Sequence, residues 1–316
     1  VLIVLLLLQL GISLPVLCVA VLRRALYHPR PLPLWARAVE VDEQLILRLA
    51  ATIEGLPPST MGKIAVAQAR AGDVDAGRDL LARAERRLEQ PSLVPQFLRW
   101  DDSIIPECER QSLDEAEREF AAVLLGQGPP LQWSFYPDAR TWFWDGDGAS
   151  RQGPELDPIG LLIAQERFEE ALTLARALPR DAPEGQPAKA MGRVAIGQHS
   201  AGDVQSAWAT LVEAVEVARR FSNIWPINIT QSGYRERALE SLAALQVQLG
   251  DLRGANRTMG LIYDLDTVDQ VCIQAAFVLT QRGERLAALE FLWQMADKDR
   301  KARTCLDLVR MLQSRT

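Results

Sequence analysis

A glycine followed by an acidic residue recurs along this chain at Gly72-Asp73, Gly202-Asp203, Gly250-Asp251 and Gly283-Glu284, with small side chains at fixed offsets. Seven residues before each glycine stands an alanine: Ala65, Ala195, Ala243 and Ala276. Five residues after it come Gly77, Ala207, Ala255 and Ala288. A weaker copy, "LLIAQERFEEALTLARALP", puts Glu166-Arg167 at the turn and Ala171 five residues on. The last two glycines are 33 residues apart and the middle two 48, as expected if one unit carries an insertion, "FSNIWPINITQSG". Each copy reads as helix, turn, helix. Glycine ends the first helix because it adopts left-handed backbone cheaply, and the adjacent acid accepts hydrogen bonds from the free N–H groups opening the second. The small residues let the two helices approach closely. Leu81, Leu211, Met259 and Leu292, nine residues after each glycine, fill the outer grooves. One such hairpin cannot bury both faces, so the units are expected to stack into an all-α, α-α solenoid.

These residues resemble tetratricopeptide repeats, over residues 61–90 and, with breaks, 157–300. The departures are specific: the position four before the turn glycine, aromatic in that family, is Gln68, Gln198, Gln246 and Leu279, and the closing proline is mostly missing. The resemblance implies a concave face, lined by the first helices, that receives peptides from other proteins. Carried over position by position, it marks Arg70, Ser200, Gln248 and Gln281 two before the turn glycine, and Lys189, Arg237 and Gln270 thirteen before it.

The chain begins with "VLIVLLLLQLGISLPVLCVAVLRR", uncharged from Val1 to Leu22, long enough as a helix to cross a hydrocarbon core of about 30 Å. A secretory signal would place basic residues before a shorter apolar run. Here Arg23, Arg24, Arg30 and Arg37 follow it, so residues 1–22 read as an uncleaved transmembrane anchor with the C-terminal domain on the cytoplasmic side. Residues 23–35 form a Pro/Arg-rich juxtamembrane spacer, and 36–90 the first helical hairpins. A net charge of −6 carries no basic stripe and argues against nucleic acid as a partner. The partners expected are other proteins, membrane-associated ones above all, together with lipid around residues 1–22.

Residues 91–156 read as an insertion. It holds one helix, "SLDEAEREFAAVLLGQG", opened by a Ser112–Glu115 capping box, followed by an aromatic loop. That loop gathers Trp133, Phe135, Tyr136, Trp142, Phe143 and Trp144, six of the chain's twenty aromatic residues. It is either a binding loop anchored by Trp133, Tyr136, Trp142 and Trp144, or a folded insertion whose rings pack on the repeats. The adjacent "DGDG" fails as a calcium loop, since Ala149, Ser150 and Leu156 fall where a ligand, a glycine and a glutamate are required. His28 and His199 are the only histidines, and neither sits beside a nucleophile or at metal-ligand spacing. Cys272 and Cys305, 33 apart, read as core residues, and residues 301–316 as a C-terminal capping helix. No catalytic residue, metal or cofactor is expected. The leading reading is a membrane-anchored, non-enzymatic scaffold that recruits or organises protein partners at the membrane. Its alternatives are a structural subunit of a membrane protein complex and an enzyme or ligand sensor with a pocket built by the aromatic insertion.

Overall fold

The computed structural model describes residues 32–37, 40–89, 104–126, 158–179, 186–220 and 229–314. Among them there are helices, turns and short connections but no strand, in keeping with the expected all-α class. The span 1–22 and the aromatic loop 133–144 lie outside the described residues. Among the described ones no helix is long and apolar enough to cross a membrane.

The helices in chain order are α1 (Leu34–Arg37), α2 (Glu43–Ala51), α3 (Pro58–Arg70), α4 (Val74–Glu89), α5 (Ile104–Leu124), α6 (Pro158–Ala164), α7 (Phe168–Ala177), α8 (Gln186–Ser200), α9 (Val204–Arg220), α10 (Ile229–Gln248), α11 (Leu252–Met259), α12 (Leu265–Gln281), α13 (Arg285–Trp293) and α14 (Lys298–Gln313). The repeated turn does what its residues dictate. Gly72, Gly202, Gly250 and Gly283 have φ of +89°, +88°, +84° and +83°. At the first three, the N–H of the following aspartate donates back to the carbonyl of Gln68, Gln198 or Gln246, closing the helix end in a Schellman arrangement. The same aspartates then cap the next helix, with Asp73, Asp203 and Asp251 accepting from the N–H of Ala76, Ser206 and Gly254 at 3.4, 3.1 and 2.8 Å. Glu284 makes no such side-chain bond. The weaker copy has the same geometry: Glu166 itself takes φ +58°, and Arg167 N–H donates to Leu162 O at 2.9 Å.

Close approach follows at the expected positions. Ala65, Ala195, Ala243, Ala276, Ala207, Ala255 and Ala171 are fully buried. In the α3–α4 hairpin the helices come nearer still, and a Cβ on Gly77 would lie 2.6 Å from the Ala65 carbonyl oxygen. The residues nine after the turn, Leu81, Leu211, Met259 and Leu292, are buried as well.

The chain divides into two compact units. The first, within residues 138–283, contains α6–α12: α8 packs on α6, α7, α9 and α10, and α10 packs in turn on α9, α11 and α12. The second is discontinuous, formed by residues 31–137 and 284–316. In it α3 packs on α2, α4 and α5, while the C-terminal helix α14 lies against α2 and α3. Gln313 Nε2 donates to Glu43 Oε2 at 2.8 Å, Thr60 Oγ1 to Asp299 Oδ1 at 2.5 Å, and Arg285 Nη1 to Val41 O at 3.0 Å.

One expected helix start is corrected. Ser112 and Glu115 do not open α5, which runs from Ile104 to Leu124 and carries Ser112 in its interior. Pro106 falls in the first turn of α5, where no intrahelical N–H is needed, so it does not prevent the earlier start. Within the stretch expected to form the first hairpins, 36–90, α2 begins at Glu43, behind Asp42, which accepts from Leu45 N–H at 2.7 Å.

Candidate binding face

In the first unit the first helices of the hairpins carry a polar face at the expected register. On α8, Lys189, Arg193, Ile196 and Ser200 follow one another at spacings of four, three and four, which places them on one side of the helix. Counting back from the turn glycine, the equivalent positions are Arg237, Ser241, Ala244 and Gln248 on α10, with Ala244 buried, and Gln270, Gln274, Phe277 and Gln281 on α12. Since α10 packs on both α8 and α12, three such rows stand on neighbouring helices. Ser200, Arg237 and Gln281 are exposed, whereas Lys189, Gln248 and Gln270 are half-buried.

Beside the α8 row is an open cleft of about 470 Å³, with Ile163, Phe168 and Ile196 as its apolar wall and Arg193, Glu166 and Ser200 at its polar rim. Gly197 makes that closeness possible, because a Cβ there would meet Ile163 at 2.6 Å and Phe168 at 2.9 Å. An apolar wall beside guanidinium, carboxylate and hydroxyl groups suits a short amphipathic peptide segment.

In the second unit the corresponding position is already occupied. Arg70 is paired with Glu119 of α5, and both side chains are largely shielded. Burial raises the Glu119 carboxyl above its ordinary range, opposed by the Arg70 charge. Along the same face, Lys63 is held below the usual lysine range, first by desolvation and then by the Arg303 charge, with Glu115, Asp299 and Glu109 acting in the opposite direction. Glu109 also accepts from Ser59 N–H at 2.9 Å. Arg70 therefore has a partner within the chain, in Glu119 of α5. The aromatic candidates Trp133, Tyr136, Trp142 and Trp144 lie outside the described residues.

Several buried polar groups were not anticipated from the sequence. Gln198 accepts from Thr210 Oγ1 at 2.8 Å and Gln246 from Thr258 Oγ1 at 2.7 Å, each bond joining the two helices of one hairpin through the core. Their signal was present: a threonine stands twelve residues after each glutamine. In the first hairpin that place is Leu80, and the buried Gln68 Oε1 has no hydrogen-bond partner. Arg235 is buried too, paired with Glu236 at 3.0 Å, donating to Leu261 O at 3.1 Å and lying over the Tyr263 ring at 5.0 Å. Glu236 accepts from Tyr263 N–H at 2.9 Å, so the pair ties the α11–α12 connection to α10. Arg282 reaches back to the Val247 and Gln248 carbonyls at the end of α10, where a cation complements the negative end of the helix.

Cys272 and Cys305 are fully buried thiols, and burial pushes the Cys305 thiol up to about 12. Among the described residues no group of histidine, cysteine or carboxylate side chains could hold a metal ion. What the faces offer chemically is hydrogen bonding, charge pairing and apolar contact. No protein-family model, curated protein or solved structure matches this chain.

Proposed function

We propose that the protein is a membrane-tethered, non-enzymatic scaffold whose hairpins form a tetratricopeptide-like solenoid and recruit protein partners through the polar rows of α8, α10 and α12. The observation that carries this reading is the register itself: the turn glycine that ends each first helix also fixes which residues stand two and thirteen positions earlier, so equivalent polar side chains recur on helices packed side by side. A preformed surface of this kind orders little on binding, which spares affinity. Residues 1–22 supply the tether, with the C-terminal domain on the cytoplasmic side. Confinement to the membrane raises the effective concentration of any partner held there.

Removing residues 1–24 is expected to release a folded, helical protein from the membrane fraction, while Arg237→Glu combined with Gln281→Glu in the full chain reduces the set of co-purifying proteins. A truncated chain that still sediments with membranes would overturn the tether, and an unchanged set of co-purifying proteins would overturn the groove. A second reading, a permanent subunit of a membrane complex, is favoured by one feature. Val204, Trp208 and Val212 form an i, i+4, i+8 stripe on α9 with exposures of 38%, 48% and 59%, the apolar surface an obligate neighbour would cover.

A further inference from the structure

The second unit contains a cleft of about 350 Å³ between the connection that follows α2 and the exposed side of α4. Its floor is apolar, made by the buried Leu56, Met61 and Leu80, while Arg83, Arg86 and Arg87 stand on its α4 wall. Spacings of three and four residues put the guanidiniums of Arg83 and Arg87, and of Arg83 and Arg86, on one side of the helix. A fourth cation arrives from the far end of the chain. The point where a Cβ on Gly55 would sit is 3.5 Å from Lys298 Nζ and 4.0 Å from Arg87 Nη2. Gly55, at φ +85°, brings no side chain between them.

Ordinary helix electrostatics accounts for only part of this arrangement. Arg86 and Arg87 in the last turn of α4 suit the negative end of that helix. Arg83 lies a turn earlier, and Lys298 is the first residue of α14, at the positive end of the helix, where the dipole disfavours a cation. Among the described residues no carboxylate pairs with Arg83, Arg86, Arg87 or Lys298. Glu54 is the acid at the rim; Asp297 caps α14 by accepting from Arg300 N–H, and Asp299 is engaged by Thr60 and Arg303. Unpaired like charges held across so small a gap repel one another, and an anion placed among them converts that repulsion into attraction.

We infer that this cleft binds a phosphate group, cradled by the forked guanidiniums of Arg83 and Arg87 and by the Lys298 ammonium, with the organic part of its carrier resting on Leu56, Met61 and Leu80. Guanidinium forks match phosphate oxygens in pairs, and lysine adds a point charge. The carrier is either the headgroup of an anionic phospholipid or a soluble phosphate compound. The site lies outside the proposed peptide face and does not depend on it.

The test titrates the full chain, in neutral detergent, with inositol 1,4,5-trisphosphate and separately with inorganic phosphate, following heat of binding. Saturable binding of the inositol compound at least tenfold tighter than of inorganic phosphate identifies a headgroup source, and comparable binding of the two identifies soluble phosphate. Arg83→Ala with Arg87→Ala should weaken binding at least tenfold, as should Lys298→Ala from the other wall, and Arg87→Lys should weaken it by a smaller factor. All four cations are exposed, and melting curves check that the variants fold. Absence of saturable binding by both anions overturns the inference, as does wild-type affinity in both the double arginine variant and Lys298→Ala.

Discussion

Glu166 occupies a position that the other copies of the turn reserve for glycine, and among the described residues it is the only non-glycine residue with positive φ. Its Cβ crowds the backbone there, a cost of about 1 kcal/mol or more. Glu166→Gly should therefore stabilise the chain, by about 0.5–1 kcal/mol after allowing for the added freedom of the unfolded state, and shift the urea midpoint of the first unit upward. At Glu236 the effect is one of proton binding. Desolvation holds this carboxyl above its ordinary range despite the Arg235 charge and the N–H groups of Asp264 and Tyr263. The folded state thus binds a proton that the unfolded state has already released. Its contribution to stability is full below the ordinary glutamate pKa and is lost as pH rises through the folded value. Lowering pH from neutral should move the difference in melting temperature between wild type and Glu236→Gln in favour of wild type. The overall acid response is set by groups of the opposite sign as well, among them Glu213, held below its range by a hydrogen bond from Arg176. The difference between the two proteins isolates Glu236.

At the scale of the element, the hairpin is a device for bringing two helix axes together, and each hairpin is tuned by one or two side chains. Ala207 and Ala255 accept a methyl group five residues after the turn, whereas Gly77 does not: besides the Ala65 carbonyl, a Cβ there would meet Phe120 Cε2 of α5 at 2.8 Å. Gly77→Ala is expected to cost about 1–3 kcal/mol through overpacking, read from chemical denaturation, with loss of amide protection concentrated in α3, α4 and α5. The interior glutamines express a second kind of tuning. Where an aromatic residue would fill the hairpin core by volume, Gln198 and Gln246 fill it by bonding to Thr210 and Thr258, so glutamine and threonine act as a unit. Gln68, opposite Leu80, has the glutamine without the hydroxyl and leaves its side-chain oxygen unsatisfied. Such a group costs about 1–3 kcal/mol of desolvation.

For the whole molecule, the second unit joins the beginning and the end of the described chain, and α14 supplies packing that α2 and α3 would otherwise lack. Ending the chain after Asp297 should expose the faces of α2 and α3, raising their hydrogen-exchange rates at least tenfold while α8 and α9 of the first unit retain their protection; uniform protection in the truncated chain would show that α14 contributes nothing to the unit. Sequence alone determined the all-α class, the turns at Gly72, Gly202, Gly250 and Gly283, the disguised turn at Glu166 and the buried alanines around them. These rest on backbone sterics and hydrogen bonds that close within a few residues. Sequence also marked Arg70 and Ser200 as equivalent by register. Tertiary structure alone decided that Arg70 is consumed by Glu119, 49 residues away, and that Gln313 reaches Glu43 across 270. Helical periodicity says that a face is buried but not what buries it, because the free energy of an apolar or ionic contact depends on which helix arrives there, and that is settled only when the distant segments pack.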